Sequence, residues 1–380
     1  MTAATVAQWR ELYAEVVDPG LCMGCAACVV ACPRGVLAYA GERPVQTDAE
    51  SGADGCRFGD AGCTVCAKAC ARLRPQTVML ESAVMGRAHR DDEPAGVARS
   101  VVAARGASPA VHAAGQDGGF VTALLGWALE HELIDGAVVS GVDPTAPLLP
   151  VPVLATTPAD LLAAARSRYT YSANPLLLRD VPPARRVTLV GTPCQVSAVR
   201  RAQASGLKRF RSVVFTVGLM CSEAFTVEGF LHGVLESRLG IDLRDVAKVN
   251  IKGRVLVSVP PGREGRLRQG AIPGSAARIA APGLVEVPLK ECKPFAREAC
   301  HHCPDFAAEL ADVSAGGLGL DGWTIAMART GIGEDWLHGA AFEGAVELRD
   351  AGDFPEALAV RDRLAAAQRR RPAKHAALPA

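Results

Sequence analysis

Eight cysteines crowd the segment from Cys22 to Cys70, and tight clusters of thiols separated by long gaps are the pattern of metal or cluster ligation. Cys22-x2-Cys25-x2-Cys28-x3-Cys32-Pro33 has the spacing of a bacterial ferredoxin run. Three thiolates two residues apart wrap one cuboidal [4Fe–4S] cluster, and Gly24, Ala26 and Ala27 are small enough for backbone N–H groups to approach the sulfurs. The fourth thiol points away before the proline and serves a second cluster. A second half is therefore expected, and Cys56, Cys63, Cys66 and Cys70 supply it, with six residues between Cys56 and Cys63 and Ala71 in place of a proline. By analogy with ferredoxins, Cys22, Cys25, Cys28 and Cys70 hold one cluster and Cys32, Cys56, Cys63 and Cys66 the other. Zinc, which prefers two separated cysteine pairs, is the competing occupant.

Of the 13 cysteines, the remaining five are Cys194, Cys221, Cys292, Cys300 and Cys303. Gly191-Thr-Pro-Cys194-Gln195 and Met220-Cys221-Ser222 each sit where a strand should end, and Cys300-His-His-Cys303-Pro-Asp305 reads as a third such point. Open α/β sheets bind ligands beyond the C-terminal ends of their strands, so the three segments could converge. Residue types alone leave zinc, an iron–sulfur cluster and inert buried thiols open here.

The elements that must position these groups follow from periodicity. SVVAARG (100–106), GAVVSGV (136–142), RVTLVG (186–191) and SVVFTVGL (212–219) read as strands. FVTALLGWALEHELI (120–134), DLLAAARS (160–167) and AFTVEGFLHGVLESRLG (224–240) read as helices between or after them. The expected architecture is an α/β catalytic domain, a mixed sheet with helices, preceded by a small ferredoxin-like α+β iron–sulfur domain. The expected division is residues 1–85 for the 2[4Fe–4S] module, 86–98 for a polar linker, 99–350 for the catalytic domain and 351–380 for a helical or flexible tail. The Pro-, Gly- and Arg-rich stretch 259–283 reads as a mobile loop.

Bulk composition narrows the class. The 380 residues carry 41 Lys+Arg against 40 Asp+Glu, a formal charge of +1, which argues against a nucleic-acid-coating protein. Hydrophobic residues at 49% and charged residues at 21% indicate a folded globular chain. No apolar run approaches the length of a membrane span. MTAATVAQWRELYAEVV carries acidic residues where a secretion signal would be basic and apolar, so a cytoplasmic protein with reduced thiols is expected.

Several motifs then come together. Gln116-Asp117-Gly118-Gly119, Arg168-Tyr169-Thr170-Tyr171-Ser172-Ala173-Asn174, Gly191-Thr-Pro-Cys194-Gln195, Met220-Cys221, Cys300-x2-Cys303-x-Asp305, Ala311-Asp312-Val313-Ser314 and Asp321-Gly322-Trp323 occur in order along residues 115–380. In these, the chain resembles the β subunits of coenzyme F-420 (F420) hydrogenase and F-420-dependent dehydrogenase, including members with an N-terminal ferredoxin module. The resemblance implies FAD and one [4Fe–4S] cluster in the catalytic domain, with Cys194, Cys221, Cys300 and Cys303 as its ligands, hence three clusters in the chain. Cys292 is left as a spare thiol.

Gly118-Gly119 before a helix offers close backbone approach and N–H donors to the FAD pyrophosphate, although by itself the pair reads as an ordinary N-cap turn. Gln116, Asp117, Arg168, Tyr169, Thr170 and Asn174 are candidates for the same cofactor. Lys252 and Arg254 in VNIKGRVLV, and less directly Arg263, Arg266 and Arg268, are candidates for the anionic tail of F-420; solvated surface charge is the plainer reading of each. The implied function is electron transfer between F-420, through FAD, and a one-electron partner such as a ferredoxin, a dehydrogenase or a quinone-reducing subunit. Direct reduction of an organic ring, as in hydroxymethyl-chlorophyll reductase, and a non-catalytic electron relay are the alternatives. No nucleic-acid partner is expected, and no catalytic acid/base pair stands out.

Overall fold

The computed structural model describes residues 7–371. Residues 1–6 and 372–380, which include the start of the segment read for a leader and the end of the tail, lie outside the described residues. Near the N-terminus, the short helix α1 (Ala27–Ala31) precedes a hairpin of β1 (Leu37–Ala40) and β2 (Arg43–Gln46), and α2 (Val65–Ala69) follows. The chain then forms β3 (Ser100–Gly106), α3 (Phe120–Glu130), β4 (Gly136–Val142), β5 (Pro150–Ala155), β6 (Val187–Gly191), α4 (Pro193–Ala204) and β7 (Val213–Leu219). It departs into a separate sheet of β8 (Lys248–Ile251), β9 (Arg254–Ser258), β10 (Arg278–Ala281) and β11 (Leu284–Pro288). It returns as β12 (Val313–Gly316), β13 (Thr324–Ala328), α5 (Gly331–Phe342), β14 (Val346–Asp350) and α6 (Pro355–Arg369).

The main sheet has eight strands in the order β14-β3-β13-β12-β7-β6-β4-β5. Its centre, β12-β7-β6-β4, is parallel, and the flanking pairs are antiparallel. All five residues of β6 are buried, as a parallel strand covered on both faces requires. Side chains of β6 and β7 serve two cores, with a register shift after Val213 that puts Val213 and Phe215 in different ones. Val190, Phe215 and Val217 face α3 and α5, where the Phe215 and Trp336 rings stack with centroids 3.8 Å apart. Val187, Leu189 and Val213 face the other way, against Ala198 and Val199 of α4 and against Ala27, Val30, Ala31 and Ala69. The cysteine-rich module thus shares a core with the sheet.

Two segments are more ordered than the sequence suggests, and the tail is helical as its composition allows. Residues 86–98 are packed: Ala95 and Val97 are buried and their carbonyls accept hydrogen bonds from Arg329 at 2.9 and 2.6 Å. Stretch 259–283 contains a helical turn (Gly265–Gln269) and β10, anchored by buried Leu267 and Ala277. The described part of the tail is a 15-residue helix, α6, whose end reaches the cysteine loops. These segments were polar enough to read as surface, but a few small apolar residues in each suffice to pin them. No helix among the described residues is long and apolar enough to cross a membrane.

Candidate iron–sulfur and coenzyme sites

The Gly191–Gln195 motif is a strand-to-helix turn whose every residue has a local task. Thr192 is the N-cap of α4, Pro193 opens its first turn, and Gln195 reaches back so that its Oε1 accepts from the Thr192 N–H at 3.2 Å. A Cβ at Gly191 would lie 2.6 Å from that oxygen, so glycine makes room for the cap. Gln195 Nε2 also donates to the Ser172 carbonyl, fixing the 168–174 loop beside the turn. Cys194 is thereby held at the start of α4 with its Sγ 3.1 Å from Thr192 Oγ1 and 3.6 Å from the Tyr171 hydroxyl. Cys221 follows the adjacent parallel strand β7, and its N–H donates to Phe306 O at 2.9 Å. Cys300 and Cys303 do not follow a strand of this sheet. They lie on and just beyond the short helix Glu298–His301, which returns from the second sheet toward β12.

These four thiols line one recess of about 390 Å³, together with Tyr171 and Arg297. Burial pushes the Cys221 thiol well up, and Cys300, Cys194 and Cys303 raise it further. Burial also raises Cys303 to about 12, with help from Cys194. Four sulfurs gathered in one recess are a donor set that a metal or cluster could use, since ligation requires the thiolate form.

The N-terminal cysteines form two groups, Cys32, Cys56, Cys63 and Cys66 in one and Cys22, Cys25, Cys28 and Cys70 in the other. Cys32, Cys56, Cys63 and Cys66 line a second recess, of about 330 Å³, closed by Trp9 and Phe58. Burial raises Cys66 to about 12, and Cys63, Cys32 and Cys56 add to it. Cys28 is pushed well up by burial and then by Cys25, Cys22 and Cys70. Packing orders the three sets in space. Ala26, inside the Cys25–Cys28 loop, packs with Cys194 and Cys300, and Cys28 shares a core with Cys66, against which Cys32 and Cys56 pack. The Cys22 set therefore lies between the other two. Cys292 is apart from all of them, fully buried in the core under the second sheet.

A different region, between the Gln116–Gly119 turn, the 166–169 loop and β8, gathers most of the residues proposed for cofactor binding. Gly118 and Gly119 have φ of +78° and +71° and lead into α3. The close approach they permit is made by the chain itself, since Cβ atoms there would lie 2.6 Å from Gly322 O and 2.5 Å from Val111 O. Gln116 bridges to β8: its Nε2 donates to Val249 O at 3.1 Å, and its carbonyl accepts from Lys248 Nζ at 2.8 Å. The Tyr169 hydroxyl donates to Asn250 Oδ1 at 3.3 Å and accepts from the Ile251 N–H. Lys252 sits in the β8–β9 turn, not within a strand; it pairs with Asp321 and lies 3.7 Å from Asp117. Its charge is already matched. Arg254 pairs with Glu286 at 2.8 Å.

Arg168 is different. Its Nη1 donates to the carbonyls of Ala165 and Arg166, while its buried Nε has no hydrogen-bond partner among the described residues. Burial, and then the charge of Arg166, makes its charged form costly. Arg166, at φ +83°, and Lys248 add positive charge to the same region. Sequence reading passed over both, because neither belongs to a motif. Thr170 and Asn174 lie away from this region. Thr170 is buried in a bridge to Phe225, and Asn174 spends its amide on Val190 O at 2.8 Å and Ser172 Oγ at 2.7 Å.

Residues 184–353 match the family model for the C-terminal part of the coenzyme F420 hydrogenase/dehydrogenase beta subunit, and residues 101–179 match the model for its N-terminal part. Residues 15–38 match the 4Fe-4S binding domain. The beta subunit of coenzyme F420 hydrogenase from Methanococcus voltae is 32% identical over 272 residues, covering 70% of this chain and 89% of that one. An F(420)H(2) dehydrogenase subunit of Methanosarcina mazei is 27% identical over 330 residues, 85% of this chain and 83% of the relative. Among solved structures, a chain of the F420-reducing [NiFe] hydrogenase complex from Methanosarcina barkeri superposes with a TM-score of 0.65 at 30% identity, over 75% of this chain and 94% of that one. The mixed sheet, the clustered thiols and these matches agree, and the chain belongs to the family of coenzyme F420 hydrogenase/dehydrogenase beta subunits, with an iron–sulfur-binding module at its N-terminus.

Proposed function

We propose that the chain is a flavin and iron–sulfur oxidoreductase that moves electrons between coenzyme F-420 and a one-electron partner protein. The observation that carries this reading is the row of three four-thiol sets, with the Cys194 set at one end, the Cys22 set in the middle and the Cys32 set at the other. FAD, when bound, exchanges a hydride with F-420 and single electrons with an iron–sulfur cluster. The residues present fit both groups. Each thiol set offers four sulfurs, and the unpaired Nε of Arg168 in a region with Arg166 and Lys248 suits the pyrophosphate of a flavin nucleotide.

In this reading Cys194, Cys221, Cys300 and Cys303 hold the cluster nearest the flavin. The Tyr171 hydroxyl, kept protonated by burial, donates toward Cys194 Sγ and fixes its orientation. The Gly118-Gly119 turn leads into α3, and Gln116 ties that turn to β8. Lys252 carries a charge balanced by Asp321 and Asp117, so it positions the β8–β9 turn against the 317–322 loop, and anion contact falls to Lys248 and Arg166. The Cys32 set, farthest along the row, faces the partner.

The test is anaerobic mixing with reduced F-420, following flavin absorbance and cluster signals together. Wild-type protein should bleach its flavin and then reduce its clusters. Cys194→Ala should bleach the flavin in one turnover without onward reduction. Flavin-replete protein that reduced F-420 leaves oxidised would overturn the proposal, as would a Cys194→Ala variant with full turnover to a protein acceptor.

A further inference from the structure

Arg297 is a buried cation whose main chain belongs to one thiol set and whose head group lies in another. Its N–H donates to Ala224 O and its carbonyl accepts from the Cys300 N–H, both at 2.9 Å, so it caps the short helix that carries Cys300. Its side chain is 8% exposed and crosses to the N-terminal module. There Nη1 donates to Met23 O at 2.9 Å, inside the Cys22–Cys25 loop, and Nε donates to Glu42 Oε2 at 2.6 Å. The guanidinium also lies over the Tyr171 ring, 4.1 Å from its centroid. Gly24 is shaped around it: φ is +68°, and a Cβ there would stand 2.5 Å from Arg297 Nη2.

A clamp between two modules needs no charge. The carbonyls that Arg297 bonds could be served by a neutral amide, and burying a guanidinium is costly unless negative charge surrounds it. Glu42 supplies one carboxylate, but its side chain is 32% exposed, so solvent screens it. Sulfurs of both sets lie around it as well, since Arg297 lines the recess of Cys194, Cys221, Cys300 and Cys303 and bonds the Cys22–Cys25 loop, and as cluster ligands they would carry negative charge. A cluster held by four thiolates is net negative and gains a further negative charge on reduction, so a fixed cation beside it favours the reduced form.

We propose that Arg297 is a positioning residue that sets the reduction potentials of two clusters at once, those held by Cys22, Cys25, Cys28 and Cys70 and by Cys194, Cys221, Cys300 and Cys303, from between them. This rests on the reading that these eight thiols hold two clusters. A single shared cation stabilises an electron on either side of the step between them, which keeps the two acceptors matched whatever the partner. The third cluster, on the Cys32 set, lies beyond the Cys22 set and is spared.

The experiment is an EPR-monitored redox titration of anaerobically purified full-length protein, with iron and labile sulfide measured on the same samples. Arg297→Gln should lower both midpoint potentials, each by a tenfold or larger change in the reduction equilibrium, which is 59 mV for one electron. The Cys32-set cluster should move less. Arg297→Lys should recover most of the shift. Glu42→Gln, which leaves the guanidinium less neutralised, should move both potentials the opposite way. Unchanged potentials in iron-replete Arg297→Gln, an equal shift in all three clusters, or no recovery with lysine would overturn the proposal. Should Arg297→Gln lose iron, Glu42→Gln decides, and potentials that stay or fall there overturn it. Equal iron in wild type and Cys194→Ala would instead remove the cluster assignment on which the proposal stands.

Discussion

At the scale of single residues, Arg168 and Glu309 show how burial makes a charged form costly. Arg168 has a buried Nε without a partner, and an unpaired buried donor typically costs about 1–3 kcal/mol. A ligand phosphate would relieve that cost. Arg168→Met should therefore leave the flavin-free protein as stable or more stable, while weakening flavin retention by tenfold or more. Thermal unfolding of flavin-free protein and a flavin titration check the two signs separately. Glu309 lies beside Asp305 in a buried network with Arg369 at 2.7 Å, and burial followed by the Asp305 charge lifts its carboxyl to about 8. The folded state thus binds this proton more tightly than the unfolded chain, where the value is 4.5. Its stabilisation is complete below the unfolded value and is lost as pH rises through 8. Glu309→Gln, always neutral, should flatten the decline in melting temperature across that window. An unaltered profile would show that Glu309 is ionised throughout.

At the scale of elements, α6 acts as a strap over the Cys194 set. Gln368 is buried, and its Nε2 donates to Cys221 O at 3.2 Å and to Asp305 O at 2.9 Å, joining the loops that carry Cys221 and Cys303. Arg371 continues the strap, with Nη1 donating to Ser222 O at 2.5 Å and Cys300 O at 2.9 Å. Removing the Gln368 amide strands two carbonyls, at a cost of about 2 kcal/mol. Gln368→Leu should lower the melting temperature and shed iron from this set first. Iron analysis after mild chelator exposure, compared with Cys66→Ala as a marker for the N-terminal set, tells the sites apart. Simultaneous loss from all sets would count against the strap.

At the scale of the whole molecule, the module and the sheet are joined by a shared core, with Ala27, Val30 and Ala31 packed on Val187, Leu189 and Ala198. That packing brings Cys22 and Cys25 within electrostatic reach of Cys194. Anaerobically prepared protein should hold about 12 Fe per chain, four for each of three cubane clusters. A value near 8 would mean that the irregular Cys56–Cys70 half builds no cluster of its own.

Ligand spacing, strand runs and caps are local, and the sequence by itself determined them. Thiols two residues apart can share a metal because the chain between them is short, so Cys22, Cys25 and Cys28 were legible without a fold. Strands read as short runs rich in valine, and β3 and β4 match their sequence windows residue for residue. Gly191-Thr-Pro-Cys194-Gln195 declared a helix start through its Thr, Pro and Gln. Only the tertiary structure decided what lies across a gap. Nothing in the spacing of Arg297 placed its guanidinium on Met23, far away in the chain, and nothing in α6 tied Gln368 to Cys221. The same holds for Arg168, whose loop reads as ordinary until its Nε is found buried without a partner. Periodicity marks which face of an element will be covered but is silent about which segment covers it, because that choice is made by packing among all the faces at once.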